Sequence, residues 1–274
     1  MLLSSNSGTH AGRPDKLRYT LFESVDFRAE MGFEAIDVNF CRCTYNEPKE
    51  RESILDGDNW QENVLRLKEK IEEKHLVPCM SHLPFRFDYA SPIPAHEHPM
   101  TYRAIDACSL LGIPYAVCHP LRADDKEKTM LVEKTIEVFT PLQQYATARG
   151  VSLAMENMKN TTAEQLVEIV DRVGCVACWD TGHANFGGIP QGESIRKLGK
   201  RLKALHINDN YGLADNHTPP YLGTVNWNEV MDALKEISYD GPFNYEVMNG
   251  KLPETVRAEY AAYLVKVGRH LLSL

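Results

Sequence analysis

A single (β/α)8 barrel is the fold class this sequence predicts, on three observations. Eight short apolar runs alternate with eight helical patterns. The 274 residues give about 34 per repeat, a spacing that fits an ordinary barrel of this kind. Polar, chemistry-bearing residues gather at the ends of the later apolar runs. No linker, low-complexity tract or break in composition interrupts the alternation, so residues 1–274 read as one domain. A doubly wound open sheet is disfavoured, because no Gly-rich phosphate loop follows the first run.

The apolar runs cover residues 2–5, 35–40, 77–83, 115–119, 151–156, 176–180, 204–207 and 243–247. Each is four to seven residues long, which suits strands buried in a parallel sheet. After the first run, Thr20 and Glu23 stand at capping-box spacing and open a helix to about Met31. Trp60, Val64, Leu67 and Ile71 form the face of the second helix. Tyr102, Ile105, Cys108 and Leu111 form that of the third, stopped by Gly112. Val132, Ile136, Phe139, Leu142 and Tyr145 mark the fourth, with a kink expected at Pro141 and a stop at Gly150. Thr161 and Glu164 cap the fifth, whose face is Leu166, Ile169, Val170 and Val173. Ile195 and Leu198 mark a short sixth helix. Asn226 and Glu229 cap the seventh, with Val230, Leu234 and Ile237; Val256, Tyr260, Leu264, Val267 and Leu271 form the eighth.

Composition excludes several roles. The net charge of −8 is opposite to what phosphate neutralisation on nucleic acid requires. No stretch approaches the roughly 18–20 apolar residues of a membrane span. Residues 1–8 lack the pattern of a secretory signal. The seven cysteines, Cys41, Cys43, Cys79, Cys108, Cys118, Cys175 and Cys178, read as reduced thiols of a cytoplasmic protein. Cys175 and Cys178 have CxxC spacing, but they lie in an apolar strand-like run with no second pair, which favours packing over zinc.

The chemistry sits at the strand ends. His82 ends the third run, in CMSHLP, and His119 the fourth, in AVCHP. Glu156 ends the fifth, in LAMENM. Asp180 ends the sixth, with His183 three residues on, in CWDTGHAN. His206 lies on the seventh, in LHINDN, followed by Asp215 and His217 in LADNHTPP. Glu246 ends the eighth, in FNYEVM. In a barrel the carboxyl ends of the strands converge on the face that carries the active site. Taken singly, each residue has a plainer role: a hydrogen-bonded histidine, a helix cap, a surface ion pair. Together they place imidazoles and carboxylates at one point, where burial without a cation is costly.

The set Glu156, Asp180, His183, His206 and Glu246, with DTGHAN and with HINDN followed by GTVNW, resembles the xylose isomerase-like TIM-barrel superfamily. That group includes sugar-phosphate isomerases and epimerases, hydroxypyruvate isomerases, inosose dehydratases and the endonuclease IV class. The resemblance implies one divalent metal held by Glu156, Asp180, His206 and Glu246, with Mn²⁺ or Zn²⁺ favoured over Co²⁺ or Mg²⁺ by the imidazoles. It implies Glu156 and Glu246 as the catalytic pair. One would take a proton next to a carbonyl and the other return it, through an enediolate. His82, His119, His183, Asp215 and His217 are then substrate-binding residues. In the endonuclease IV class, residues of these nine types hold three zinc ions, so the same five side chains are also candidates for a second or third zinc.

The chain departs from the endonuclease pattern in LPFRFDYASP after His82 and in HINDNYG, which lacks a following Ser-Lys. It departs from the ketohexose epimerases at Gly212, where they carry an arginine. The expected activity is therefore a metal-dependent isomerase or epimerase acting on a small-molecule carbohydrate. A dehydratase at the same metal site and a multi-zinc phosphoester hydrolase are the alternatives, and a homo-oligomer is left open. Arg122 and Asn157 are further substrate-binding candidates, with Arg86 behind Arg122. The loops at 6–20, 41–59 and 86–98 are long enough to form lids, with Phe87, Tyr89, Pro92 and Pro94 on the last. Tyr45, Trp179 and Phe186 offer an apolar wall, though ordinary packing suits each as well.

Overall fold

The computed structural model describes residues 1–8, 19–40, 53–84, 97–123, 129–247 and 252–274. Cys41, Cys43, Tyr45, Arg86, Phe87, Tyr89, Pro92 and Pro94 lie outside them.

Eight parallel strands form the barrel: β1 (Leu3–Asn6), β2 (Ala35–Asp37), β3 (Val77–His82), β4 (Tyr115–Cys118), β5 (Ser152–Glu156), β6 (Val176–Asp180), β7 (Leu202–His206) and β8 (Phe243–Tyr245). Neighbours in sequence are neighbours in space, and β1 pairs with both β2 and β8. The ring closes between β7 and β8 at one parallel bridge, Ile207 to Tyr245. There the Ile207 amide donates to the Asn244 carbonyl and the Glu246 amide donates to the Ile207 carbonyl.

Around it lie α1 (Leu21–Met31), α2 (Trp60–Glu73), α3 (Pro99–Leu111), α4 (Val132–Thr147), α5 (Ala163–Val173), α6 (Thr181–Gly187), α7 (Gln191–Leu198), α8 (Trp227–Glu236) and α9 (Arg257–Ser273). The capping box at Thr20 and Glu23 forms as its spacing predicts. The one on α5 differs: Thr162 and Gln165 make it, not Thr161 and Glu164. Thr161 instead accepts from the Met158 amide in the preceding turn. Gly112 ends α3 in the left-handed region at φ 75°, where a Cβ would be strained. α4 runs through Pro141 as one helix.

The expectation of eight helices is corrected by α6. Its seven residues are too short and too mixed to show a helical period, but Asp180 caps it by accepting from the His183 amide. The second strand is shorter than expected, ending at Asp37, and the seventh begins earlier, at Leu202.

Strand periodicity separates two cores. Leu3, Ile36, Ala116, Leu153, Met155, Ala177, Trp179 and Leu205 pack outward against the helices in the large core. Ala35, Met80, Val117, Ala154, Cys178 and Ala204 form a small cluster inside the barrel. One step of two further along each strand comes Asp37, His82, His119, Glu156, Asp180 and His206. The residues of the mouth are thus the next inward positions above the apolar layer.

Candidate metal centre

Among the described residues, three donor groups form at the mouth: His82, His119 and Glu156; Glu156, Asp180, His206 and Glu246; and His183, Asp215 and His217. Within each group the ligand atoms lie within 4.8 Å of one another. Glu156 belongs to two of them. Its Oε1 lies 3.0 Å from His206 Nδ1. Its Oε2 lies 3.2 Å from His119 Nε2 and 3.5 Å from His82 Nε2. Glu246 Oε2 reaches the same His206 Nδ1 at 3.2 Å, and Asp180 Oδ2 lies 4.0 Å from it. Asp215 Oδ2 sits between His183 Nε2 at 3.3 Å and His217 Nε2 at 3.2 Å.

Backbone carbonyls fix three of the imidazoles. His82 Nδ1 donates to the Leu83 carbonyl at 2.8 Å, His183 Nδ1 to the Asn157 carbonyl at 2.9 Å, and His217 Nδ1 to the Glu246 carbonyl at 2.7 Å. Once deprotonated at Nε2, each ring would turn that nitrogen toward its group, the arrangement that metal-binding histidines adopt.

The carboxylates are equally constrained. Asn208 Nδ2 donates to Asp180 Oδ2, and the His183 amide to Asp180 Oδ1. Asn157 holds the Asp180 main chain at both ends, accepting its N–H and donating to its carbonyl. The Asn157 amide is therefore committed behind Asp180 and fully buried. Arg122 makes an antiparallel bridge with Met130 just beyond β4 and is half-buried. Trp179 is core, not wall: it is fully buried and its indole N–H donates to Gln191. Phe186 is half-buried beneath the Lys159 ammonium, 4.1 Å from its ring centre. The thiols of Cys175 and Cys178 are free, buried and pushed up by that burial, as packed cysteines are.

Without a cation the cluster balances its charge with protons. Burial pushes the Asp180 carboxyl up to about 6, against the pull of His183. Burial also opposes ionisation of Glu246, but the His206 imidazolium outweighs it and holds that carboxyl at about 2. Glu156 lies well below the usual range for the same reason, despite its burial. His183 and His206 lie well above the usual imidazole range despite burial; Asp180 lifts the first, and Cys178, Glu156 and Glu246 the second. Burial carries His119 down to about 4.

Two residues of this layer escape a search for strand-end imidazoles. Asp37 ends β2 fully buried, its Oδ2 accepting from Asn6 and Asn244 and lying 4.0 Å from His206 Nε2. Asn6 ends β1 beside it. Their signal was available: each follows a small strand residue, Ala35 or Ser4, by two positions.

The residues fit a divalent cation by a direct test. Glu156 Oε2 is buried without a hydrogen bond, and the Nε2 atoms of His82 and His119 crowd toward it. Oxygen and nitrogen lone pairs that converge out of water need a positive centre between them.

A family model described as the xylose isomerase-like TIM barrel matches residues 25–266. An L-ribulose 3-epimerase of Methylomonas sp. is 26% identical over 227 residues, 73% of this chain and 76% of that one. An uncharacterized protein of Sinorhizobium fredii is 28% identical over 156 residues, and the match spans half the length of each chain (52% and 50%). Among solved structures, D-psicose 3-epimerase from Clostridium cellulolyticum H10 with D-tagatose superposes with a TM-score of 0.75 at 17% identity, covering 99% of both chains. The zinc-binding IOLI protein superposes at 0.72 with 22% identity, covering 100% of this chain and 98% of that one.

Proposed function

This chain belongs to the xylose isomerase-like TIM-barrel family, and from that membership and the donor geometry we propose that it is a divalent-metal-dependent epimerase or isomerase of small sugars. The observation that carries the reading is the convergence of Glu156 and Glu246 on one imidazole nitrogen, 3.0 and 3.2 Å from His206 Nδ1. Relatives that are ketose 3-epimerases support the substrate class.

Glu156, Asp180, His206 and Glu246 would hold the cation. Bound there, it would polarise a substrate carbonyl and make the neighbouring C–H more acidic. A carboxylate is then base enough to take that proton. In an aldose–ketose isomerisation one of them takes and returns the proton. In an epimerisation the second must enter the step protonated and deliver from the opposite face. Burial of Glu156 beneath the histidines keeps water from that carboxylate, while Glu246 remains partly open to the mouth.

The test is solvent deuterium exchange into ketoses by Mn²⁺- or Zn²⁺-loaded protein. Exchange next to the carbonyl is expected, and Glu246→Gln or Glu156→Gln should slow it by about 10²–10⁴-fold. Elimination of a β-hydroxyl in place of reprotonation would mark a dehydratase at the same centre.

A second reading has its own observation. Glu156 is shared between two donor groups, and the third group is assembled beside them. That arrangement suits clustered zinc ions and phosphoester hydrolysis. Elemental analysis separates the two: about one cation per chain with ketose turnover supports the first. Three zinc ions with phosphoester turnover and no ketose exchange would overturn it.

A further inference from the structure

Asp215 and His217 lie within a long connection, whereas every other donor lies on a strand, directly after one, or on α6. The segment from β7 to α8 carries them, and one carboxylate ties its parts together. Asp209 is fully buried, and its carboxylate accepts four hydrogen bonds. Oδ1 takes the amides of Asn210 at 2.9 Å and Val225 at 3.0 Å. Oδ2 takes the Tyr221 amide at 3.1 Å and the Trp227 indole N–H at 3.0 Å. Its main chain adds two more, exchanged with Thr218 at 2.7 and 2.8 Å. One carboxylate therefore joins the start, middle and end of the segment, and the Thr218 pair closes the smaller loop that holds Asp215 and His217.

Three further features follow from that clamp. His217 and Tyr221 sit in the left-handed region, at φ 49° and 69°, which side chains adopt only when their surroundings impose it. Gly223 has no room for a side chain: a Cβ would fall 2.2 Å from Asp209 Oδ1 and 2.6 Å from the Asn210 amide nitrogen. The His217 ring meets the Glu246 carbonyl through Nδ1.

We propose that Asp209 is the positioning residue for Asp215 and His217, the loop-borne members of the third donor group, acting through the path of this loop and not by contact with any reacting atom. The proposal rests on the reading that this group faces the reacting centre. It makes the third group separable from the strand-borne donors Glu156, Asp180 and His206, which the barrel holds without the loop's help.

The experiment uses the full, metal-free chain with ¹⁵N-labelled histidine, with His217→Gln and His82→Gln to assign the carbonyl-bound imidazole N–H signals. Asp209→Asn turns an amide NH₂ against donor N–H groups, and Gly223→Ala presses on the same carboxylate without changing charge. In both, the His217 Nδ1 proton should exchange with water at least about tenfold faster, while that of His82 keeps its wild-type rate. Calorimetric titration with Zn²⁺ should show the affinity of the Glu156, Asp180, His206 and Glu246 group unchanged within about twofold. An unaltered His217 signal in Asp209→Asn would overturn the proposal. So would equal acceleration at His82, because Asp209 would then support the whole mouth. Failure of wild-type protein to bind Zn²⁺ or Mn²⁺ would instead sink the metal-enzyme reading, with the His217 signal still deciding the role of Asp209.

Discussion

His217 must give up a proton before its Nε2 can bind a cation. Burial would lower its pKa, but the hydrogen bond it donates to Asp215 and the nearby Glu246 and Asp180 raise it to about 9. A proton held more tightly in the folded chain than at the unfolded value of about 6.5 stabilises fully below that pH and ceases to do so as pH rises through 9. The metal-free protein should therefore lose melting temperature between pH 7 and about 9.5. His217→Gln should flatten that loss, as scanning calorimetry in chelator can read. Glu246 works in the opposite sense: held at about 2, it contributes above its ordinary range and fails only as pH falls toward 2. Cation uptake at pH 7 should accordingly release protons, measurable by calorimetry in buffers of different ionisation enthalpy; uptake without release would mean the nitrogens are already bare. The donor types were legible in the sequence because imidazoles and carboxylates ending apolar runs are rare without a purpose. The pairing of Nδ1 with backbone carbonyls was not, since it depends on where a distant main chain passes. Asp37 was legible only through inward strand parity, which a search for run ends overlooks.

At the level of elements, apolar runs located all eight strands because a parallel barrel buries both of their faces. Boundaries were less legible, because pairing decides where a strand stops: β2 ends at Asp37 although Val38 and Phe40 remain buried and apolar. α6 was hidden for a different reason, since its residues TGHANFG carry no amphipathic stripe and its start depends on a side-chain cap. That cap makes a distinction testable. Asp180→Asn keeps an oxygen for the His183 amide, so the metal-free melting temperature should hold while cation affinity drops; a matching fall in both would tie the carboxylate to folding alone. On α5 the Thr162 box is ordinary helix chemistry. Thr162→Ala should cost about 1 kcal/mol, or a few degrees of melting temperature, with ketose exchange unaffected.

For the whole molecule, a cation that binds only the folded chain should stabilise it by mass action. At a free concentration one hundred times its Kd the gain is about 2.7 kcal/mol, so chelator should lower the melting temperature and excess Mn²⁺ or Zn²⁺ restore it. The place where that energy acts follows from how the barrel closes. β7 and β8 meet at a single bridge through Ile207, and His206 and Glu246 stand immediately beside it. A cation gripping both side chains would span the last gap in the ring, as a rivet closes a hoop. The seam should breathe while the centre is empty and seize when it is filled. Amide protons of Ile207 and Glu246 would then record occupancy as lifetimes, short in chelator and long in metal, while those of β3 and β4 on the far side of the ring keep one clock throughout.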